Sequence, residues 1–179
     1  MWIGLCFMAV ACGLEVQGDT VFSELTGDEA RAFCEERNSY IRRSESSIVA
    51  FNCYFAARQE AAADPSLDCE TLAADCIETP TPGTTPFFND CSDPDLATDL
   101  GMNCPLTVDT VRTCFERTAD NFELLAADGL SCMNLAERFT GLPEIPECDA
   151  VDNECPNICL LYTSPSPRDA TLSRMPSSA

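Results

Sequence analysis

Apolar positions recur every three or four residues along most of the chain, and no run alternates convincingly enough to make a strand. The stretch ELTGDEARAFCEERNSYIRR opens with Thr26 as a helix cap and Glu29 three residues on, the pattern of a capping box. It places Ala30, Phe33, Cys34, Arg37, Tyr40 and Ile41 on one side of a helix. SSIVAFNCYFAARQEAAA predicts a second helix, with Ile48, Phe51 and Phe55 on one stripe and Val49, Cys53 and Ala56 beside it. Two helices joined by so short a link are expected to pack antiparallel. Cys34 and Cys53 would then lie at similar distances from the turn, within reach of a direct bond.

DPSLDCETLAADCIETP predicts a third helix, capped by Asp64 with Pro65 at its first position and ending before Pro80. Its Cys69 and Cys76 share a face and can each reach a different neighbour. Residues 79–104 carry no usable periodicity. A loop of that length needs fastening, and Cys91 and Cys104 supply candidates for it. The clearest element follows. Thr107 caps it, Asp109 favours the positive helix end, and Val108, Val111, Phe115, Thr118, Phe122 and Leu125 form one stripe with Cys114 beside it, up to a stop at Gly129. A shorter helix runs from Ser131 to near Thr140, and EIPECDAVDNEC reads as an acidic loop. The expected fold class is all-α: a small, disulfide-stapled helical domain of about four to five helices with long loops. LTGDEARAFCEE and LTVDTVRTCFER echo each other faintly, with their cysteines one position out of register, and shared helix-start chemistry accounts for most of it.

The two ends differ from the rest. Residues 159–179 resemble a translated tagmentation sequencing adapter: TGT CTC TTA TAC ACA TCT reads Cys159 to Ser164, and the match continues in frame on both sides of a short index. They are read as an adapter-derived artefact, not native, and are set aside from the fold. At the other end, MWIGLCFMAVACG has the length and apolar character of a signal peptide and is too short to span a bilayer. Ala9-Val10-Ala11-Cys12 resembles a lipoprotein box, in which Cys12 is lipidated and becomes the first mature residue; an ordinary signal peptide cut after Ala11 or near Gly18 is the alternative. The chain therefore divides into a signal peptide (1–11), a tether (12–22), a cysteine-rich helical domain (23–158) and the tail (159–179).

This division makes the cysteines count evenly. Of 13, Cys6 and Cys12 belong to the export signal and Cys159 to the tail. The remaining ten are Cys34, Cys53, Cys69, Cys76, Cys91, Cys104, Cys114, Cys132, Cys148 and Cys155. In an oxidising compartment they read as five disulfides, and spacing alone leaves the pairing open. A metal site is the competing reading, but the native part has no C-x2-C pair and the chain has no histidine.

Charge and missing residue types narrow the function further. The first 158 residues carry 29 carboxylates against eight arginines and no lysine, a formal charge of −21. Such a surface repels nucleic acid and anionic lipid headgroups. Without histidine, Ser-His, Cys-His and His-metal mechanisms have no base or ligand; without lysine, Schiff-base chemistry and the phosphate-loop lysine are gone. Asn89, Asp90, Asp93, Asp95 and Asp99, and again Asp149, Asp152, Asn153 and Glu154, lack the spacing and central glycine of an EF-hand loop and read as solvated acidic loops. No cofactor is expected.

FSELTGDEARAFCE and CPLTVDTVRTCFE followed by LSC, with Cys12 ahead of a short tether, resemble the cysteine-rich lipoproteins of myxobacteria and related delta-proteobacterial lineages. The resemblance implies an envelope location and disulfides, and it carries no activity or catalytic residues. The expectation is a non-enzymatic protein that is exported or anchored at the outer envelope or cell surface, serving as a structural or binding module. Its partner would be an unidentified surface or extracellular one, with membrane contact only through the lipid. The alternative is a secreted helical carrier of a small apolar ligand, elicitin-like or saposin-like in style.

Overall fold

The computed structural model describes residues 16–86, 88–93, 104–127, 129–155 and 158. The apolar leader with Cys12 and the tail 159–179 lie outside the described residues. Among the described residues there are five helices, α1 (Gly27–Ala63), α2 (Cys69–Glu78), α3 (Val108–Ala127), α4 (Leu135–Thr140) and α5 (Pro146–Glu154), preceded by a 3-10 turn at Phe22–Glu24. The expected all-α, disulfide-stapled class is what the chain adopts.

Where two antiparallel helices were expected there is one. α1 runs for 37 residues without a break, about 55 Å at the usual helical rise. The physical reason lies in its seam. Ala30, Cys34, Arg37, Ile41, Ser44, Ile48, Phe51 and Phe55 are spaced alternately by four and three residues, so one stripe passes straight through the supposed turn. Its polar members disguise it. Ser44 is fully buried and its hydroxyl donates back to the Tyr40 carbonyl at 3.0 Å, so no group is left to break the helix. Thr26 and Glu29 do form the capping box at its start.

α2 returns antiparallel along the second half of α1. It starts later than expected, because the Asp64 carboxylate turns onto Ser66 instead, accepting from its backbone N–H at 2.9 Å. Asp68 caps α2, accepting from the Thr71 N–H at 2.8 Å. α3 lies on the main seam of α1 and runs parallel to it, since Glu36 meets Arg112, Arg43 meets Asp120, and Phe51 meets Phe122. Gly129, at φ 78°, takes the left-handed conformation that ends the element. Ser131 and Asn134 cap each other reciprocally ahead of α4, with Ser131 N–H to Asn134 Oδ1 at 2.9 Å and Asn134 N–H to Ser131 Oγ at 3.2 Å.

The expected acidic loop near the end is a helix, α5. Its inward row is half-buried Cys148 with buried Val151, Cys155 and Ile158, with helical spacing that becomes visible once cysteine is counted as a hydrophobe. Pro146 sits in its first turn, where a missing N–H costs nothing.

The tether expected over 12–22 is, from Val16 onward, part of the fold. Val16 is 4% exposed and Phe22 is fully buried, so the domain begins at least seven residues before the expected boundary at 23. Phe22 meets the edge of Phe33 with centroids 4.9 Å apart, at the centre of an apolar cluster that also holds Val108, Val111, Phe115 and Val151. A second cluster lies further along α1, where Leu125, Leu130 and Leu135 are buried beneath Phe51, Phe55, Phe122 and Phe139.

Candidate functional site

All ten retained cysteines are paired: Cys34–Cys91, Cys53–Cys76, Cys69–Cys132, Cys104–Cys155 and Cys114–Cys148. Cys34 and Cys53 are therefore not bonded to each other, because the turn that would have brought them together does not exist. Cys34 instead fastens the 88–93 segment to α1, and Cys53 fastens α2. Cys69 joins the start of α2 to the turn before α4, Cys114 joins α3 to α5, and Cys104–Cys155 ties the approach of α3 to the end of α5. The long connection after α2 is held at Cys91 and at Cys104.

The bonds fall into two covalent groups. One contains α1, α2, the 88–93 segment and the turn at Cys132; the other contains α3, α5 and the chain around Cys104. No disulfide spans the α1–α3 seam itself. That seam is closed by side-chain packing and by two charge centres. Arg112 donates from Nε to Glu36 at 2.7 Å and from Nη1 to Asp109 at 2.6 Å, and its Nη2 reaches the Val16 carbonyl at 3.1 Å. Burial works to lower the Arg112 pKa, but the Glu36 bond and the Glu36 and Asp109 charges outweigh it and leave it raised. Further along, Arg43 pairs with Asp120 and with Glu123.

Arg37 belongs to the inward stripe of α1. In the fold it is 2% exposed, lies over the Phe115 ring at 5.6 Å, and donates to Asn38. Asn38 then does what a backbone strand would: its Nδ2 donates to the Asn89 carbonyl at 3.0 Å and its Oδ1 accepts the Asn89 N–H at 3.3 Å. A buried asparagine thus seats the 88–93 segment beside the Cys34–Cys91 bond. Nothing in the local sequence announces a contact across 51 residues.

Between α1 and α3, Arg37, Tyr40, Ile41, Ser44, Phe115 and Phe122 edge a depression of about 20 Å³. That is the space of a single water, whereas sites for small apolar ligands enclose about 300 Å³ or more. Tyr40 beside it is pushed up to about 12, first by burial and then by its bond to Glu36, so it holds its proton at neutral pH and offers no base. Among the described residues no group of three or more cysteine or carboxylate side chains is placed to hold a metal ion. Asp90 faces its own Ser92, accepting from the N–H at 3.0 Å; Asp149, Asp152, Asn153 and Glu154 lie on α5; Asp95 and Asp99 fall outside the described residues. Also among the described residues, no helix is long and apolar enough to cross a membrane.

Comparison with known proteins returned no matching family model, no matching curated protein and no matching solved structure.

Proposed function

We propose that the chain is a non-enzymatic module of the cell envelope, exported and held at the surface through a lipid on Cys12, whose acidic domain serves as a structural or binding element for a surface or extracellular partner. The observation that carries this reading is the framework of five disulfides, which forms and persists in oxidising compartments and is rare in reducing ones. The absence of histidine and lysine from the chain supports a non-catalytic role. Among the described residues the α1–α3 seam leaves only a water-sized depression, which favours a binding surface there over an internal ligand cavity.

The test is fractionation of cells that make the protein, followed by intact mass. The expected result is membrane association with a diacyl adduct on the first residue, lost in Cys12→Ser while the domain keeps five disulfides. Membrane association that survives Cys12→Ser, or an unmodified thiol at Cys12 in the mature protein, overturns the anchor and leaves plain secretion.

A further inference from the structure

We infer that residues 16–24 are an integral part of the folded domain, so that export processing cannot cut near Gly18 and falls upstream of Val16, at the Ala11–Cys12 bond that the export reading supplies. This rests on the export reading above and fixes where its processing step falls.

Residues 16–24 form a strap across the start of α3. The first N–H groups of any helix have no partner within it. Here the strap supplies them: the Thr20 carbonyl accepts the Val108 N–H at 2.9 Å and the Gly18 carbonyl accepts the Asp109 N–H at 2.9 Å. In the other direction, Phe22 N–H donates to the Leu106 carbonyl at 2.8 Å and Ser23 N–H to the Cys104 carbonyl at 3.2 Å, around an antiparallel bridge between Val21 and Thr107. Arg112 holds the upstream end through the Val16 carbonyl, and the Val16 side chain enters the apolar cluster. At Gly18 a β-carbon would meet the Asp109 carboxylate, so the strap lies directly against that side chain, which would have to swing aside for any larger residue.

A cut near Gly18 would remove the Val16 contacts and leave the new charged N-terminus among those of α3. A cut after Ala11 leaves the whole strap intact. The sequence offers small residues there, Ala9 and Ala11, at the two positions a signal peptidase reads. The step is hydrolysis: the enzyme adds water across the Ala11–Cys12 amide, giving a carboxylate on Ala11 and an amine on Cys12.

The N-terminus of the exported full-length chain decides the matter by mass spectrometry. The expected first residue is Cys12, and an N-terminus at Asp19 or beyond in five-disulfide protein overturns the inference. A Cys12 start without lipid would leave it standing while removing the anchor. Two shortened chains sharpen the test. One beginning at Val16 should melt where the Cys12-start chain melts, and one beginning at Asp19 should melt at least about 5 °C lower or fail to yield the five-disulfide species. Equal melting of both would overturn it. Amide exchange guards against simple misfolding: in the chain beginning at Asp19, which lacks the Gly18 carbonyl, exchange at Asp109 should rise at least about tenfold while α2 amides stay protected, and unchanged exchange there would overturn the inference.

Discussion

The two apolar clusters along α1 are closed in different ways. Around Phe22, Phe33 and Phe115 the rings are at most 3% exposed, and four disulfide sulfurs, those of Cys34, Cys104, Cys114 and Cys155, are members of the cluster. Around Phe51 the aromatic rings pack on one another, Phe139 stacked at 5.5 Å and Phe122 edge-on at 5.6 Å, yet all of them stay half-buried. The bonds Cys53–Cys76 and Cys69–Cys132 stand beside that second cluster and not in it. At the first end, cross-links fill volume that a larger core would give to leucines. At the second, they hold in place a lid of rings that does not seal. A domain of this size gains most from disulfides where its own core is thinnest, and this one uses them in both capacities.

The largest expected contrast comes from the rings. Phe33→Ala removes a fully enclosed ring and should cost about 3–5 kcal/mol of unfolding free energy, while Phe139→Ala should cost about half of that, because its site is already open to water. Denaturant titration of the two variants measures this, and equal losses would show that the second cluster is as closed as the first.

Removal of one bond from each end comes next. Cys104→Ser with Cys155→Ser opens a loop of 51 residues, and Cys69→Ser with Cys132→Ser one of 63. Chain entropy predicts nearly the same loss for both, about 4 kcal/mol. The first pair should nevertheless lose more, since its two sulfurs are 1% exposed and leave a hole, whereas Cys69 and Cys132 are half-buried. Under mild reductant, alkylation and mass mapping should find Cys69 and Cys132 first and Cys104 and Cys155 last. The reverse order would mean that burial does not set access.

Asn38→Ala should cost about 1–3 kcal/mol, because it leaves both the N–H and the carbonyl of Asn89 without their partner. Thermal melting reads the loss, and it should be small at the second cluster by ring-proton shifts. The smallest effects are electrostatic. Arg43→Ala removes pairs with Asp120 and Glu123 that stand about half in water and should change stability by less than about 1 kcal/mol. Acid should act through the helix ends and turns. The Thr26 N-cap holds Glu29 below the usual carboxylate range, and hydroxyl and backbone bonds do the same for Asp64, Asp68 and Asp90. Their contribution is complete above the unfolded values of about 4 and is lost as pH falls through the lower folded ones, so the melting temperature should drop between about pH 4 and pH 2. Asp68→Asn should shrink that drop.

Much of this fold was legible from apolar spacing and helix-end chemistry. Thr26 with Glu29 marked the start of α1, Thr107 and Gly129 bracketed α3, and the even set of cysteines pointed to five bonds. What was hidden was hidden for identifiable reasons. Ser44 occupies a fully buried seam position where an apolar residue is expected, and it makes one long helix read as two. Cysteines carry the stripe of α5, and a reading that treats them only as cross-linkers sees a loop. The strap is invisible because its function is performed by main-chain carbonyls, at Gly18 and Thr20, to which side chains give no clue. Pairing depended on Asn38 and on the direction of α3, both long-range outcomes of packing.

The strap also sets a height. With a lipid on Cys12, only residues 13–15 separate the acylated residue from Val16, and at about 3.6 Å per residue the leash reaches no further than about 14 Å. A domain moored in this way would hold only the acidic groups at its Phe22 end within roughly two screening lengths of the headgroups. The moored end would then be the one closed by Phe22. The end that carries the half-buried rings and Met133, 93% exposed, lies toward the far end of a helix several times longer than the leash. Whatever the protein meets beyond the membrane would then meet the looser of its two clusters first.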